Sequence, residues 1–409
     1  MTHTRRCSYR ALLRQPGVVP LTLFMFLARL PSASAGLVLT LHVVTDLDRG
    51  YASAGLVGTA TTVGSMAGSP LVGRALDRFG LRPVVAVAGV CSAAYWSSAP
   101  SLSYDALLAV ALPAGALSVP LTSVSRQVLT ALVPEAHRRA VLSLDTVLLE
   151  ASFVLGPAVA VQIVTHYSAT VALLAVAVIS ALTSTVFFVR NPPLLSAADQ
   201  AAARSSAEHP GARWLTRPLV ATLVITSGAL FVLAGTELAL VALLQARGET
   251  QWTGVVIGIM AVASAIGGLA YGAARRPLSQ LTLVVLLAVL VAPAGFADRS
   301  WWWVSLALVP MQLTCSPALA ASVENVVRLA PPRVRGAAMG LEEAATRLGA
   351  SLGFPVVGFV LDRTTPVWGF VTAGLGGLLF ACFAAVLAPR PAGPDAAPHP
   401  SPQLQKVDK

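Results

Sequence analysis

The stretch PLTSVSRQVLTALVPEAHRRAVLSLDTVLLEASFVLGPAV, Pro120 to Val159, lies without a gap over PALAASVENVVRLAPPRVRGAAMGLEEAATRLGASLGFPV, Pro317 to Val356, when the chain is slid along itself by 197 residues. Pro120 meets Pro317, Ser125 meets Ser322, Pro134 meets Pro331, Arg138 meets Arg335, Leu144 meets Leu341 and Gly156 meets Gly353. The identities are few, but they fall at helix breaks and loop turns, where coincidence is rarer than among abundant Ala, Leu and Val. A parallel repeat across apolar segments describes a transporter architecture, two halves around a binding site near the bilayer midplane.

Composition puts the repeat in a membrane. Of 409 residues, 56% are hydrophobic and 11% charged, and the mean hydropathy is +0.74, which no soluble surface needs. A span takes about 20 mostly apolar residues. That rule predicts spans at 17–45, 52–75, 83–100, 105–127, 139–165 and 168–189, then 218–245, 252–274, 277–296, 301–327, 336–361 and 367–388. The two sets of six are separated by RNPPLLSAADQAAARSSAEHPGARWLTRP, Arg190 to Pro218, too polar to insert. The expected fold class is therefore an all-α membrane protein, twelve transmembrane helices in two pseudo-symmetric six-helix bundles. The expected domains are 1–190, a cytoplasmic linker 191–217, a second bundle 218–388 and a disordered cytoplasmic tail 389–409. The opening RRCSYRALLRQPGVVPLTLFMFLARL resembles a signal peptide, but its apolar run continues too far, so it reads as an uncleaved first span.

The net charge of +10 raises the question of nucleic acid, which the placement of the basic residues answers. They fall in short loops rather than on a stripe. With both termini cytoplasmic, 21 of the 28 Lys and Arg lie inside, 4 outside (Arg49, Arg247, Arg299, Arg363) and 3 within spans (Arg29, Arg126, Arg347), which fixes the orientation. RSWWWV at the start of the tenth span adds aromatic residues at the outer interface. Cys7, Cys91, Cys315 and Cys382 share no metal-ligand or disulfide spacing and read as small apolar fillers. No cofactor is implied. Heavy use of Arg over Lys, with abundant Ala, suggests a GC-rich bacterial genome and hence an inner membrane.

The loop GRALDRFGLRP, Gly73 to Pro83, resembles the G-x-L-a-D-R-x-G-R-K signature of the major facilitator superfamily, and the spans, linker and repeat resemble that family along nearly the whole chain. The resemblance implies that Asp77 is held near the start of the eleventh span and locks an outward-facing closure. Gly73 and Gly80 would permit the tight turn, with Arg78 and Arg82 in the same loop. A carboxylate at a helix N-terminus has a physical basis in the free N–H groups and the dipole there. Leu81 stands where the family has its second basic residue, and Arg82 follows it. ASFVLGPAVA resembles the family's Gly-Pro antiporter motif, so Gly156 and Pro157 are expected to limit leakage between the halves. ALPAGA, Ala111 to Ala116, lacks the Arg that drug-exporting branches carry in the fourth span. The resemblance points to an exporter of a drug or metabolite.

Depth selects the candidate site. At 1.5 Å per residue Glu150 lies about 16 Å beyond Arg139, Arg29 about 20 Å into the first span and Arg347 about 18 Å into the eleventh. A charge there costs roughly 3 kcal/mol, so such residues pair or face a cavity. Arg29 and Glu150 are expected to pair or to hold the substrate jointly, and Glu150 to carry a proton; the bland reading is a static helix-to-helix salt bridge. Glu343 lies four residues before Arg347, the spacing of an intrahelical pair. In the repeat Arg347 takes the slot of Glu150, and Glu342 that of Asp145, which would suit a polar or zwitterionic ligand between the halves. Glu237, in the outer half of the seventh span, is a coupling candidate or an interfacial residue. Arg126 and Glu324 suit an inner gate, or ordinary interfacial solvation. Arg138 and Arg335 read as anchors at the cytoplasmic surface.

Three functions remain. The first is a monomeric secondary transporter that exports an amphipathic small molecule by proton exchange. The second moves a polar metabolite recognised by Arg29 and Arg347. The third is a membrane enzyme or sensor, for which the chain offers no nucleophile and base pair, metal-ligand spacing or phosphate loop. The partners are then a small-molecule substrate, protons and the lipid bilayer, and no nucleic acid.

Overall fold

The computed structural model describes residues 9–205, 214–296 and 300–387. The tail expected at 389–409, Cys7, Arg299 and the middle of the linker lie outside these residues. Every regular element among them is helical. Apolar segments of this kind can satisfy their backbone groups in lipid only within helices or closed barrels.

A short helix α1 (Tyr9–Leu13) precedes α2 (Val18–Thr45), α3 (Tyr51–Phe79), α4 (Leu81–Ser98), α5 (Tyr104–Ala116), α6 (Leu121–Leu132), α7 (Glu135–His166) and α8 (Ala169–Arg190). The linker carries α9 (Ala197–Ser205). After it come α10 (Arg217–Ala246), α11 (Thr253–Ala273), α12 (Gln280–Gly295), α13 (Trp301–Leu329), α14 (Arg335–Leu361) and α15 (Pro366–Leu387). With α5 and α6 taken as one interrupted segment, six long helical segments stand on each side of the linker. Nine segments among the described residues are long and apolar enough to cross a membrane by length and composition. The apolar α12 is shorter, at 16 residues.

The expected fourth span, 105–127, proves to be interrupted. Residues 117–120 are not helical, and Leu117 donates its N–H back to the carbonyl of Pro113. Pro113 and Pro120 remove two helix donors seven residues apart. Their repeat mates Pro310 and Pro317 are accommodated inside the continuous α13, a difference for which nothing in the local structure gives a reason.

Packing repeats with the sequence. A β-carbon on Gly156 would stand 2.6 Å from the carbonyl oxygen of Leu30 and 3.3 Å from Ala33; one on Gly353 would stand 2.7 Å from that of Phe231 and 3.1 Å from Ala234. The helix pairs α2/α7 and α10/α14 thus share one close approach, made possible by the missing side chain. The contacts between the halves are also matched: Gly340 of α14 abuts the Ser69 carbonyl of α3, and Gly272 of α11 abuts Ser143 of α7.

Four apolar clusters describe the core. One draws only on residues from 221 to 384, and two draw only on residues from 25 to 187. The fourth mixes Leu12, Val18, Leu129, Val133 and Val141 with Leu219, Val323, Val326, Val327 and Met339. It seals the two halves together at the end of the molecule that carries the linker. Gly73 lies beside this seal, and a β-carbon there would collide with the carbonyl of Gly336. Gly73→Val is therefore expected to weaken the closed linker end by about 1–3 kcal/mol, as overpacking does. The check is maleimide labelling of a Val326→Cys reporter in a cysteine-free chain, which should react faster in the Gly73→Val background; an unchanged rate means α3 and α14 have room to spare.

Candidate functional site

Four charged side chains meet above the apolar seal. Arg29 of α2 holds Asp145 of α7 with both terminal nitrogens, at 2.9 and 3.2 Å, and Ser125 of α6 donates to the same carboxylate at 2.8 Å. Arg126 of α6 approaches Asp145 to 3.6 Å through Nε and donates from Nη1 to Glu342 of α14 at 2.8 Å. All four are nearly inaccessible, with exposures of 3% for Arg29, 1% for Asp145, 4% for Arg126 and 3% for Glu342. Two guanidiniums and two carboxylates balance, which is what makes their burial tolerable. Even so, Nε of Arg29 and Nε of Arg126 find no hydrogen-bond acceptor.

This corrects the expected pairing of Arg29 with Glu150. Asp145 lies about 15 Å along α7 from Glu135, and Arg29 about 16 Å along α2 from Val18, so they share a level. Glu150 is five residues further, about 8 Å higher and well round the helix. It points to the other half instead. The thiol of Cys315 on α13 donates to its Oε1 at 3.5 Å, and the hydroxyls of Ser264 on α11 and Ser316 on α13 stand beside it. Ser264 and Ser316 are themselves bonded at 3.2 Å. Among the described residues no basic group lies within ion-pair distance of Glu150.

Arg126 and Glu324 do not face one another. Glu324 of α13 receives Arg139 of α7 through two nitrogens at 2.9 and 3.0 Å, and the Tyr271 hydroxyl donates to it at 3.3 Å. Each expected gate residue thus bridges the halves, but through a different partner. Asp77 sits astride the first turn of α14, accepting from the N–H of Gly336 at 2.7 Å and of Ala337 at 2.8 Å. Gly80 ends α3 at φ 79°, a conformation open to glycine. Arg78 lies over its neighbour Phe79, and Arg82 donates to the Phe188 carbonyl of α8 at 3.1 Å, so neither joins the contact with α14. Tyr9 of α1 reaches across to donate to the Leu269 carbonyl of α11 at 2.9 Å.

Arg138 and Arg335 are not simple surface anchors. Both grip Asp199 of the linker helix, Arg138 at 2.8 Å and Arg335 at 2.9 and 3.3 Å, while Ser196 donates to it at 2.9 Å. Two arginines at equivalent places in the repeat are held by one carboxylate that belongs to neither half. Partial burial pushes the Asp199 pKa up, but the hydrogen bonds from Arg335 and Ser196 and the charges of Arg335 and Arg138 outweigh it and hold it at about 2. A depressed carboxylate pKa stabilises above the unfolded value and is lost as pH falls through the folded one. The brace should therefore be indifferent to pH from 7 to about 4. Asp199→Asn is expected to expose the linker end at neutral pH, read as faster tryptic cleavage at Arg204 and Arg217; cleavage no faster than in the unaltered chain would show the brace to be idle.

The remaining candidates are dispersed. Arg347 and Glu343 form their intrahelical pair at 2.8 Å, with 37% and 18% of the side chains exposed. Glu237 is exposed on α10. Pro157 lies within α7, directly after the close-packed Gly156. Sequence reading missed Ser125, Arg139, Asp199, Ser264 and Cys315 as site residues. Arg139 carried a signal, since it adjoins a repeat position and faces a span holding one acidic residue, and so did Ser125, a repeat identity with Ser322; the other three carried none.

A family model described as the Major Facilitator Superfamily matches residues 21–309 and 271–407. Similar solved structures include the human organic anion transporter MFSD10 (TETRAN), with a TM-score of 0.71 and 19% identity over 94% of this chain and 100% of that one. The proton:xylose symporter XylE bound to 6-bromo-6-deoxy-D-glucose gives 0.68 and 14% over 91% and 96%. FucP in the outward conformation gives 0.63 and 15% over 90% and 97%. At these identities the likeness is one of fold. No curated protein matches the sequence.

Proposed function

The chain belongs to the Major Facilitator Superfamily, and from that premise we propose that it exports a small molecule by alternating access in exchange for protons. It is a multi-pass membrane transporter and not an enzyme. In this reading all twelve segments span a bacterial inner membrane, residues 1–190 and 218–388 form the rocking halves, and a monomer carries the full cycle. The linker end is cytoplasmic, so the sealed state described above faces outward. Gly156 and Pro157 keep α7 tight against α2 while the halves move.

One observation carries the coupling. Glu150 belongs to one half, its thiol and hydroxyl neighbours to the other, and among the described residues no cation neutralises it. A carboxylate so placed favours parted halves when charged and closed halves when protonated, because closure strips water from it. A ligand that binds one arrangement better shifts the equilibrium toward it, and here the ligand is the proton. The measurement is made in respiring everted vesicles containing the protein, with a fluorescent dye reporting the pH gradient. Compounds that are exported should collapse the gradient only when the protein is present. If no compound does so although transport of radiolabelled compounds is demonstrable, proton exchange is the wrong coupling.

The second reading, movement of a polar metabolite, is favoured by the partly exposed Glu343 and Arg347 pair, which offers both signs of charge at cavity depth. The similarity to an organic anion transporter and to a proton:xylose symporter is compatible with either reading.

A further inference from the structure

We propose that the molecule translocated carries a single anionic oxygen group, a carboxylate or sulfonate, which binds Arg126 in the place that Glu342 occupies in the sealed state. The inference rests on the alternating-access reading and adds the substrate class to it.

Of the contacts in the buried quartet, Arg126 to Glu342 alone crosses between halves; Arg29, Asp145, Ser125 and Arg126 all belong to the first. When α14 withdraws, that bond breaks and the others stay. The first half is then left with two guanidiniums and one carboxylate, a net charge of +1. Asp145 already accepts two nitrogens of Arg29 and the hydroxyl of Ser125, and its Oδ2 stands 3.6 Å from Nε of Arg126; even if it accepts from Arg126 as well, one carboxylate faces two guanidiniums and the net charge of +1 remains. Donors are in excess even in the sealed state, where Nε of both arginines lacks an acceptor although each residue is more than nine-tenths buried.

A site with surplus charge and surplus N–H groups selects an oxyanion. The planar guanidinium fork suits two oxygens on one atom, as carboxylates and sulfonates provide. A cation would meet net positive charge, and a neutral amide would leave that charge unbalanced. Access also fits: Arg126 stands one helical turn from Leu129, and Glu342 one turn from Met339, both in the apolar seal. Parting the seal from the linker side uncovers Arg126. When the halves close again, Glu342 competes for the same nitrogens and expels the anion toward the opposite face. Selection and release then use one pair of side chains.

The test is binding in neutral maltoside micelles without any gradient, so that it stands or falls separately from proton coupling. Acetate, benzoate and 2-naphthoate are each compared with the corresponding amide by the shift they cause in thermal unfolding of the full chain. Glu342→Gln removes the competing carboxylate. At least one carboxylate should stabilise it at a concentration tenfold or more below that needed for the unaltered protein, and its amide should not. The double variant Arg126→Gln with Glu342→Gln, which leaves no unpaired charge in the interface, should lose the effect. Equal response to acid and amide, no response to any carboxylate in Glu342→Gln, or a response that survives in the double variant overturns the proposal.

Discussion

Asp145→Ala is expected to destabilise the protein by about 3–5 kcal/mol, the cost of leaving a buried guanidinium without its partner. Asp145 accepts both terminal nitrogens of Arg29 and the Ser125 hydroxyl and lies beside Arg126, with 1% of its surface exposed. Arg126 retains Glu342 after the change, but Arg29 retains only the backbone carbonyl of residue 145, at 3.5 Å, and no counter-charge. The measurement is thermal unfolding of the purified chain in detergent, read by aggregation or tryptophan emission. Replacing both members, Arg29→Met with Asp145→Leu, should recover most of the loss, because a buried ion pair often yields to apolar residues of like volume without cost. A single variant as stable as the unaltered protein would mean that water reaches Arg29. The recovered double variant then asks whether transport needs the pair or only its fold does.

Glu150→Gln should reduce pH-driven movement of a substrate to the level of empty vesicles while leaving exchange of labelled for unlabelled substrate intact. Glutamine keeps the shape and can still accept from the Cys315 thiol, so packing between α7 and α13 is preserved. What it cannot do is change charge. The rocking equilibrium is then no longer tied to the proton, and the gradient has nothing to act on. Exchange needs only alternation of the loaded protein, which the substitution leaves possible. Gradient-driven accumulation that survives in Glu150→Gln would move the coupling to another carboxylate, with Glu342 and the exposed Glu237 next in line.

The helical segments were legible because apolar run length and the placement of Pro, Gly and Arg are one-dimensional properties. The repeat was legible for the same reason, and its Gly156 and Gly353 prove to make the same packing contact. That Arg29 and Glu150 sit deep within long apolar helices was legible too. Which side chains they meet was not. Asp145 and Glu150 differ by five residues, a rotation that turns one toward α2 and the other toward α11 and α13, and composition does not say which way a helix faces. The partners of the gate candidates Arg126 and Glu324 were hidden for that reason, and each proves to reach across the halves, to Glu342 and Arg139. Asp199 was hidden differently, in a segment whose polar, Pro-bearing composition reads as mere connection.

That connecting segment bears on fragment complementation. If the chain is made as two polypeptides divided after α9, the first fragment carries Asp199 and presents a ready ligand for Arg335 of the second. Division before α9 leaves that carboxylate on the second fragment, tethered beside α10 rather than α8, and its grip on Arg138 must then recruit the partner. The two divisions produce the same set of residues, yet reassembly depends on which bundle inherits the clasp.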